Sequence, residues 1–291
     1  MTAKLLKGKP VADAIIEKTK LKVEALKSQG ICPQLAIVRV GANESDIAYE
    51  RGAAKRAEAA GIKIKNIVLP ETVEQPHLIA EIEKLNNDSS INGILLFRPL
   101  PAHIDDAAVG QSIAASKDID GITAMSLASV FTGTDIGFAP CTARACMEIL
   151  DYYDIQIKGR RAAVVGRSLV VGRPLAMMLM KRNATVTLCH TGTSPADMAK
   201  LCSEADILAV ASGRPGTVNN QHTNTAQTVL DVGINVDADG NMCGDADFDE
   251  ISETACAITP VPGGVGSVTS SVLMLHTAEA AEKQFKDSIY G

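Results

Sequence analysis

The chain has no tryptophan, only four tyrosines and five phenylalanines. Its core must therefore come from Ala, Val, Ile, Leu and Met, the usual filling between helices and a parallel sheet. CxxC pairs are missing too. The seven cysteines, at 32, 141, 146, 189, 202, 243 and 256, form an odd count. They fit free thiols in a reducing cytoplasm better than a disulfide framework or a zinc site. The five histidines show neither HxxH nor HExxH spacing, so no metal site is expected. No apolar run approaches the ~20 residues of a membrane span. Nor does an apolar segment follow Lys4, Lys7 and Lys9, so no signal peptide is expected. An excess of basic charge is absent as well. Lys and Arg number 28 against 34 Asp and Glu, a net charge of −6, which argues against nucleic-acid or anionic-membrane partners.

What is present is apolar residue, 46% of 291 positions. That is ample to offset chain entropy and enough for two domains or one large α/β domain. Apolar periodicity predicts helices over 11–26, 46–60, 72–86, 142–153 and 269–285. Strands are predicted over 35–40, 62–69, 93–97, 161–165, 185–189, 206–210, 228–231 and 257–258. Their alternation implies βαβ units and a mainly parallel sheet. Residues 118–141, dense in Gly, Thr, Pro and Asp with little periodicity, read as a crossover between two lobes.

The strand at 162–165 runs into Gly166-Arg167-Ser168-Leu169-Val170-Val171-Gly172-Arg173-Pro174, and a helix follows. Backbone N–H groups at such a helix start point at a pyrophosphate. The spacing is GxxxxxG, so the GxGxxG fingerprint is half met. On this stretch alone, a phosphate loop and a plain βα turn are equally good readings. The following strand ends Cys189-His190-Thr191 without an acid. An NAD site places an acid there for the ribose 2′-hydroxyl, whereas a 2′-phosphate favours Arg and hydroxyl donors. Arg167, Ser168, His190 and Thr191 supply these, so NADP is preferred, with NAD still possible. A packed strand end is the competing role for His190.

With this loop, three further segments make a specific pattern: Ala184-Thr-Val-Thr-Leu-Cys-His190, Lys117-Asp-Ile-Asp-Gly121 and Thr259-Pro-Val-Pro-Gly-Gly-Val-Gly266. In this order over nearly the whole chain, they resemble the tetrahydrofolate dehydrogenase/cyclohydrolase family. The resemblance implies an α/β fold with two lobes. An N-terminal βαβ substrate lobe (1–140 with 267–291) would be completed by the last helix, and a Rossmann-like NADP lobe would span 141–266. It also implies a homodimer that oxidises 5,10-methylenetetrahydrofolate with NADP and then hydrolyses the methenyl product to 10-formyltetrahydrofolate. By the same resemblance, Tyr49 is the substrate-site tyrosine of the second helix. Asp120 is the acid facing the pterin, where a carboxylate can accept two ring N–H bonds. Pro262, Gly263 and Gly264 form the loop that lets backbone approach the folate. Gly166, Arg167, Ser168, Gly172, His190 and Thr191 form the cofactor set, with Ile234 added. Plain helix packing for Tyr49, a turn-forming role for Asp120 and a tight turn at 262–264 are the structural alternatives.

The sequence departs from the family where hydrolysis is performed. The family's Tyr-x-x-x-Lys helix motif places Ala53 at the lysine position, and the family's Val-Gln-Leu-Pro-Leu-Pro appears as Leu96-Phe-Arg-Pro-Leu-Pro101. Phe97 thus replaces the glutamine that partners the lysine. Losing both members of a polar pair is tolerable, whereas losing one leaves a buried group unpaired. Arg56, seven residues after Tyr49, lies nearly on its helix face and leans toward the helix start. It is the candidate substitute, although an arginine does not exchange protons as lysine can. Lys55 falls about 120° off that face. Arg98 should point away from the Phe97 face of the strand. A solvated surface is the alternative for all three. Ser267 stands where the family usually has Pro, and Ala143 and Ala145 where it has Pro and Gly.

Four functional readings follow. The leading one is a methylenetetrahydrofolate dehydrogenase with weak or absent cyclohydrolase activity. The others are an ordinary bifunctional enzyme using Arg56, a non-catalytic folate- or NADP-binding paralogue, and an unrelated small-substrate dehydrogenase.

Overall fold

The structure, a computed structural model, describes residues 2–237 and 239–290. They form two compact units. One comprises residues 13–141 with 270–291, and the other residues 1–12 with 142–269.

The first unit is built on three parallel strands, β2 (Gln34–Val40), β3 (Lys63–Leu69) and β4 (Gly93–Leu96), in the order β3-β2-β4. Central β2 is buried along almost its whole length, while edge strand β3 alternates between covered and exposed residues. Helices α2 (Glu44–Ala60) and α3 (Gln75–Asn87) make the crossovers. Leu78, Ile82 and Leu85 on α3 pack with Ala36, Val38 and Ile94 of the sheet. On α2 the buried positions are Ala53, Ala57 and Ala60. This i, i+4, i+7 stripe of small residues places the helix close against its support. Asn43 caps the start of α2, its Oδ1 accepting from the Ser45 N–H at 2.9 Å, and left-handed Gly61 (φ 74°) ends it. Helix α1 (Gly8–Ser28), short α4 (Asp106–Gln111) and α5 (Ala124–Thr132) follow the same chain. Helix α5 is a correction, because residues 118–141 were expected to be irregular. The Thr123 hydroxyl caps it by accepting from the Ser126 N–H. Its nine residues are too few for an apolar period to stand out.

The second unit contains a six-stranded parallel sheet ordered β6-β5-β7-β8-β11-β1. Its strands are β5 (Arg161–Val165), β6 (Thr185–Cys189), β7 (Ile207–Val210), β8 (Thr228–Asp231), β11 (Ala257–Ile258) and β1 (Lys4–Leu5). Helices α6 (Cys141–Tyr152), α7 (Gly172–Lys181), α8 (Pro195–Ser203) and α9 (Phe248–Thr254) accompany it, with a two-stranded ribbon of β9 (Asn235–Val236) and β10 (Met242–Cys243). The chain winds outward from β5 in both directions, the doubly wound topology. The expected division gave residues 1–12 to the substrate lobe. They fall in the other unit because β1 pairs with β11, Lys4 opposite Ala257 and Leu5 opposite Ile258. A two-residue strand at the chain start carries no readable period.

The last helix, α10 (Gly266–Tyr290), returns the chain to the first unit from Ser270 onward. Gln284 fixes it there: its Nε2 donates to the carbonyls of Asn92 and Ser116, both at 3.0 Å. No helix among the described residues is long and apolar enough to cross a membrane.

Candidate active site

The segment 117–121 shows how neighbouring residues divide structural and chemical work. The Lys117 ammonium is buried and donates to the carbonyls of Leu85 (2.9 Å) and Asp88 (2.8 Å). Asp118 is fully buried and accepts from the N–H groups of Ile122 and Thr123 and from the Ser126 hydroxyl (2.6 Å). Gly121 sits at φ 70°, and a Cβ there would meet Phe138 O and Pro140 N at 2.6 Å. These residues fix the loop and leave the Asp120 carboxylate for other work. Burial pushes its pKa up to about 6, aided by Asp118 and opposed by Arg98 and a hydrogen bond from Cys141.

Around Asp120 stand groups from four more segments of the same unit. Tyr49 comes from α2. Its hydroxyl is pushed well above the ordinary phenol range, first by burial, then by Asp120 and Cys141, with Arg56 acting in the opposite sense. Phe97, buried just after β4, meets the Tyr49 ring edge-on at a centroid distance of 5.6 Å. From α10, the His276 Nδ1 lies 2.8 Å from the Ile119 carbonyl oxygen, to which it donates, and the Cys141 sulfur lies 3.2 Å from the same oxygen. Neither His276 nor Cys141 was singled out in the sequence. Both are buried and far from Asp120 in the chain, and no local pattern points to them.

Ala53 is 1% exposed, one helical turn beyond Tyr49. Arg56 reaches this region: its guanidinium acts on Tyr49, and its Nη1 lies 3.4 Å from the Ser271 hydroxyl. Arg98 departs from expectation. It pairs with Asp106 at 3.2 Å and its charge acts on Asp120. Strand alternation does not govern it, because β4 ends at Leu96.

The remaining candidates belong to the other unit. Gly166 (φ 128°) ends β5, and a Cβ on it would run into the Ala211 carbonyl. A Cβ on Gly172 would run into the Gly166 carbonyl. Both positions therefore require glycine, and the chain turns tightly from β5 into α7. Ser168 shapes that turn, its hydroxyl accepting from the Val171 N–H at 3.1 Å. Arg167 is exposed and has no ion pair among the described residues. His190 Nδ1 accepts from the Gly192 N–H at 3.0 Å. By that bond the neutral ring carries its proton on Nε2, a donor suited to phosphate. Thr191 beside it is exposed. Ile234 follows β8 and is exposed next to Gly266. Pro262 follows a cis peptide, and Gly263 takes φ 98° with open space where a Cβ would be. Ser267 donates to the Gly264 carbonyl at 2.6 Å.

A doubly wound unit with a glycine turn and a second unit with a Tyr–Phe–Asp cluster match two family models. Residues 6–120 match the tetrahydrofolate dehydrogenase/cyclohydrolase catalytic domain, and residues 140–285 match the NAD(P)-binding domain of the same proteins. The chain belongs to the tetrahydrofolate dehydrogenase/cyclohydrolase family. The bifunctional protein FolD of Alkaliphilus oremlandii is 48% identical over 96% of this chain and 98% of its own length. The Campylobacter jejuni FolD crystal structure, 39% identical, covers 97% of this chain and 99% of its own, with a TM-score of 0.92. The Trypanosoma brucei FolD structure, complexed with NADP and an inhibitor, is 33% identical over 100% of both chains, with a TM-score of 0.89. Within the family, the two-domain α/β architecture and the return of the last helix to the catalytic unit are as the resemblance implies.

Proposed function

We propose that this protein oxidises 5,10-methylenetetrahydrofolate to 5,10-methenyltetrahydrofolate with NADP, and that its cyclohydrolase activity is weak or lost. The observation that carries this reading is the filling of the site beside Asp120. Tyr49 and Phe97 pack edge to face, and buried Ala53 stands where the family motif has lysine. The site thus keeps two aromatic rings and a carboxylate for a pterin, without the amine–amide pair that the resemblance assigns to hydrolysis.

Asp120, ionised, accepts N–H groups of the pterin ring in charge-assisted bonds and orients the reacting methylene carbon. The N–H groups at the start of α7 receive the pyrophosphate, and Arg167, Ser168, His190 and Thr191 hold the 2′-phosphate. NADP, when bound, accepts the hydride. Oxidation removes a hydride from the methylene carbon and leaves the methenyl cation, so it needs no general base. Hydrolysis of that cation by water does. This difference is why oxidation can survive the loss of the lysine while hydrolysis does not.

A second reading, the ordinary bifunctional enzyme, is favoured by the bifunctional relatives and by Arg56, which reaches Tyr49 and Ser271. Arginine stays protonated near neutrality, so it stabilises charge but does not shuttle a proton. A paired assay of both reactions on one preparation separates the readings.

Seven free cysteines suit a reducing compartment, so we infer a cytoplasmic enzyme. We also infer a homodimer, which sedimentation velocity tests.

The raised Asp120 pKa sets a pH limb. Above about 6 the carboxylate is ionised and accepts pterin N–H bonds, and below it the protonated form loses that capacity. Folate affinity, followed by calorimetry from pH 8 to 5, should fall as pH drops through about 6. An Asp120→Asn variant should show no such limb. A limb that persists in the variant assigns it to another group.

A further inference from the structure

The loop after β7 is tied down by a cluster of buried polar groups. In a doubly wound sheet, ligands bind outside the carboxyl ends of the strands where the winding reverses. Here that point lies between β5 and β7, since β5 leads outward to β6 and β7 leads the other way to β8. One side of the crevice is the Gly166 turn. The other begins at Ala211, against whose carbonyl Gly166 rests, and continues through Ser212 and Gly213.

Ser212 and Gly213 are held by a remote carboxylate. Asp245 Oδ2 accepts from the Ser212 N–H at 2.6 Å and the Gly213 N–H at 2.8 Å, while Oδ1 accepts from Asn235 Nδ2 at 2.8 Å. Asp245 is fully buried. It is fixed in turn by Asp231 at the end of β8, whose carboxylate accepts from the N–H groups of Asp245 (2.9 Å) and Ala246 (3.1 Å). Two glycines allow this interlock. A Cβ on Gly233 would collide with the Asp245 carboxylate, and one on Gly244 with that of Asp231. A single core of buried polar groups therefore ties the loops after β7 and β8 to one another.

We propose that Asp245 is a positioning residue for the dinucleotide, acting by fixing Ser212 and Gly213 at the reversal point of the sheet. This rests on the NADP reading above. Because Asp245 already takes both N–H groups, they do not compete for a phosphate. The pyrophosphate is thereby assigned to the N–H groups of the loop between Gly166 and Gly172. A buried carboxylate with three charge-assisted bonds suits this role because its geometry is stiff. Loss of the clamp would leave the loop to sample conformations that NADP must reorder on binding.

Titration calorimetry with NADP, and separately with tetrahydrofolate, on the full chain tests this. Asp245→Ala should weaken NADP binding by about tenfold or more and change tetrahydrofolate binding by less than about twofold. Asp245→Asn, whose amide oxygen can accept the same two N–H bonds, should restore NADP affinity to within about threefold of the native protein. Asn235→Ala removes one restraint on Asp245 and should weaken NADP by about threefold, so it decides the matter if the alanine variant does not fold. Unchanged NADP affinity in Asp245→Ala or Asn235→Ala overturns the proposal, as does equal weakening of both ligands. A native protein that binds tetrahydrofolate but not NADP overturns the NADP reading itself.

Discussion

An Asp120→Ala variant is expected to lose about three orders of magnitude in kcat/KM for methylenetetrahydrofolate oxidation. The proposed site gives this carboxylate two pterin N–H groups. Hydrogen bonds to a charged group are worth about 1.5–3 kcal/mol each. Their joint loss corresponds to roughly 10²–10⁴ in binding of the reacting state. Little of the loss should come from misfolding, because the loop is held by Lys117 and Asp118 rather than by Asp120. Melting temperature should move by a few degrees at most, and NADP affinity should be unchanged. A variant that keeps more than a tenth of native activity would remove Asp120 from the substrate site.

The second large effect concerns the missing pair. Ala53→Lys with Phe97→Gln is expected to raise methenyltetrahydrofolate hydrolysis at least about a hundredfold, the lower range for a positioned acid–base group. Neither change alone should raise it more than about tenfold. Ala53 is 1% exposed, so a lone lysine ammonium there is desolvated without a partner. Leaving a buried charge uncompensated costs about 3–5 kcal/mol. A lone glutamine at 97 buries an unpaired amide and also loses the edge-to-face contact with Tyr49. The two substitutions should therefore be strongly non-additive in both stability and hydrolysis, as a double-mutant cycle measures. Additive effects, or no gain in the double variant, would show that these two positions do not account for the hydrolytic difference.

Much of this arrangement is legible in the amino-acid sequence. The βαβ alternation, the glycine turn from β5 into α7 and the spacing of Tyr49 and Arg56 along α2 all depend on local period or spacing, and the alternation and the turn are present in the fold. Phe97 beside Tyr49 was legible for a different reason, since both positions follow from family motifs. What stayed hidden depends on contacts distant in sequence. Strand β1 exists because it pairs with β11, some 250 residues away. His276 matters because α10 returns to the Ile119 carbonyl. Asp245 and Asp231 carry no local signal: the Asp231 carboxylate accepts from the Asp245 N–H, and the Asp245 carboxylate packs against Gly233. Strand alternation does not extend to Arg98, which lies two residues past the end of β4 and pairs with Asp106.

The central claim is that one step of a two-step sequence persists and the other is impaired. Its most direct test is a paired assay of the native protein, following NADPH formation from methylenetetrahydrofolate and loss of methenyltetrahydrofolate in the same preparation. The predicted result is oxidation at an ordinary enzymatic rate, kcat of about 1–10³ s⁻¹, with methenyltetrahydrofolate accumulating and decaying no faster than in buffer. Enzymatic hydrolysis at a rate comparable to oxidation would contradict the account and establish the bifunctional reading.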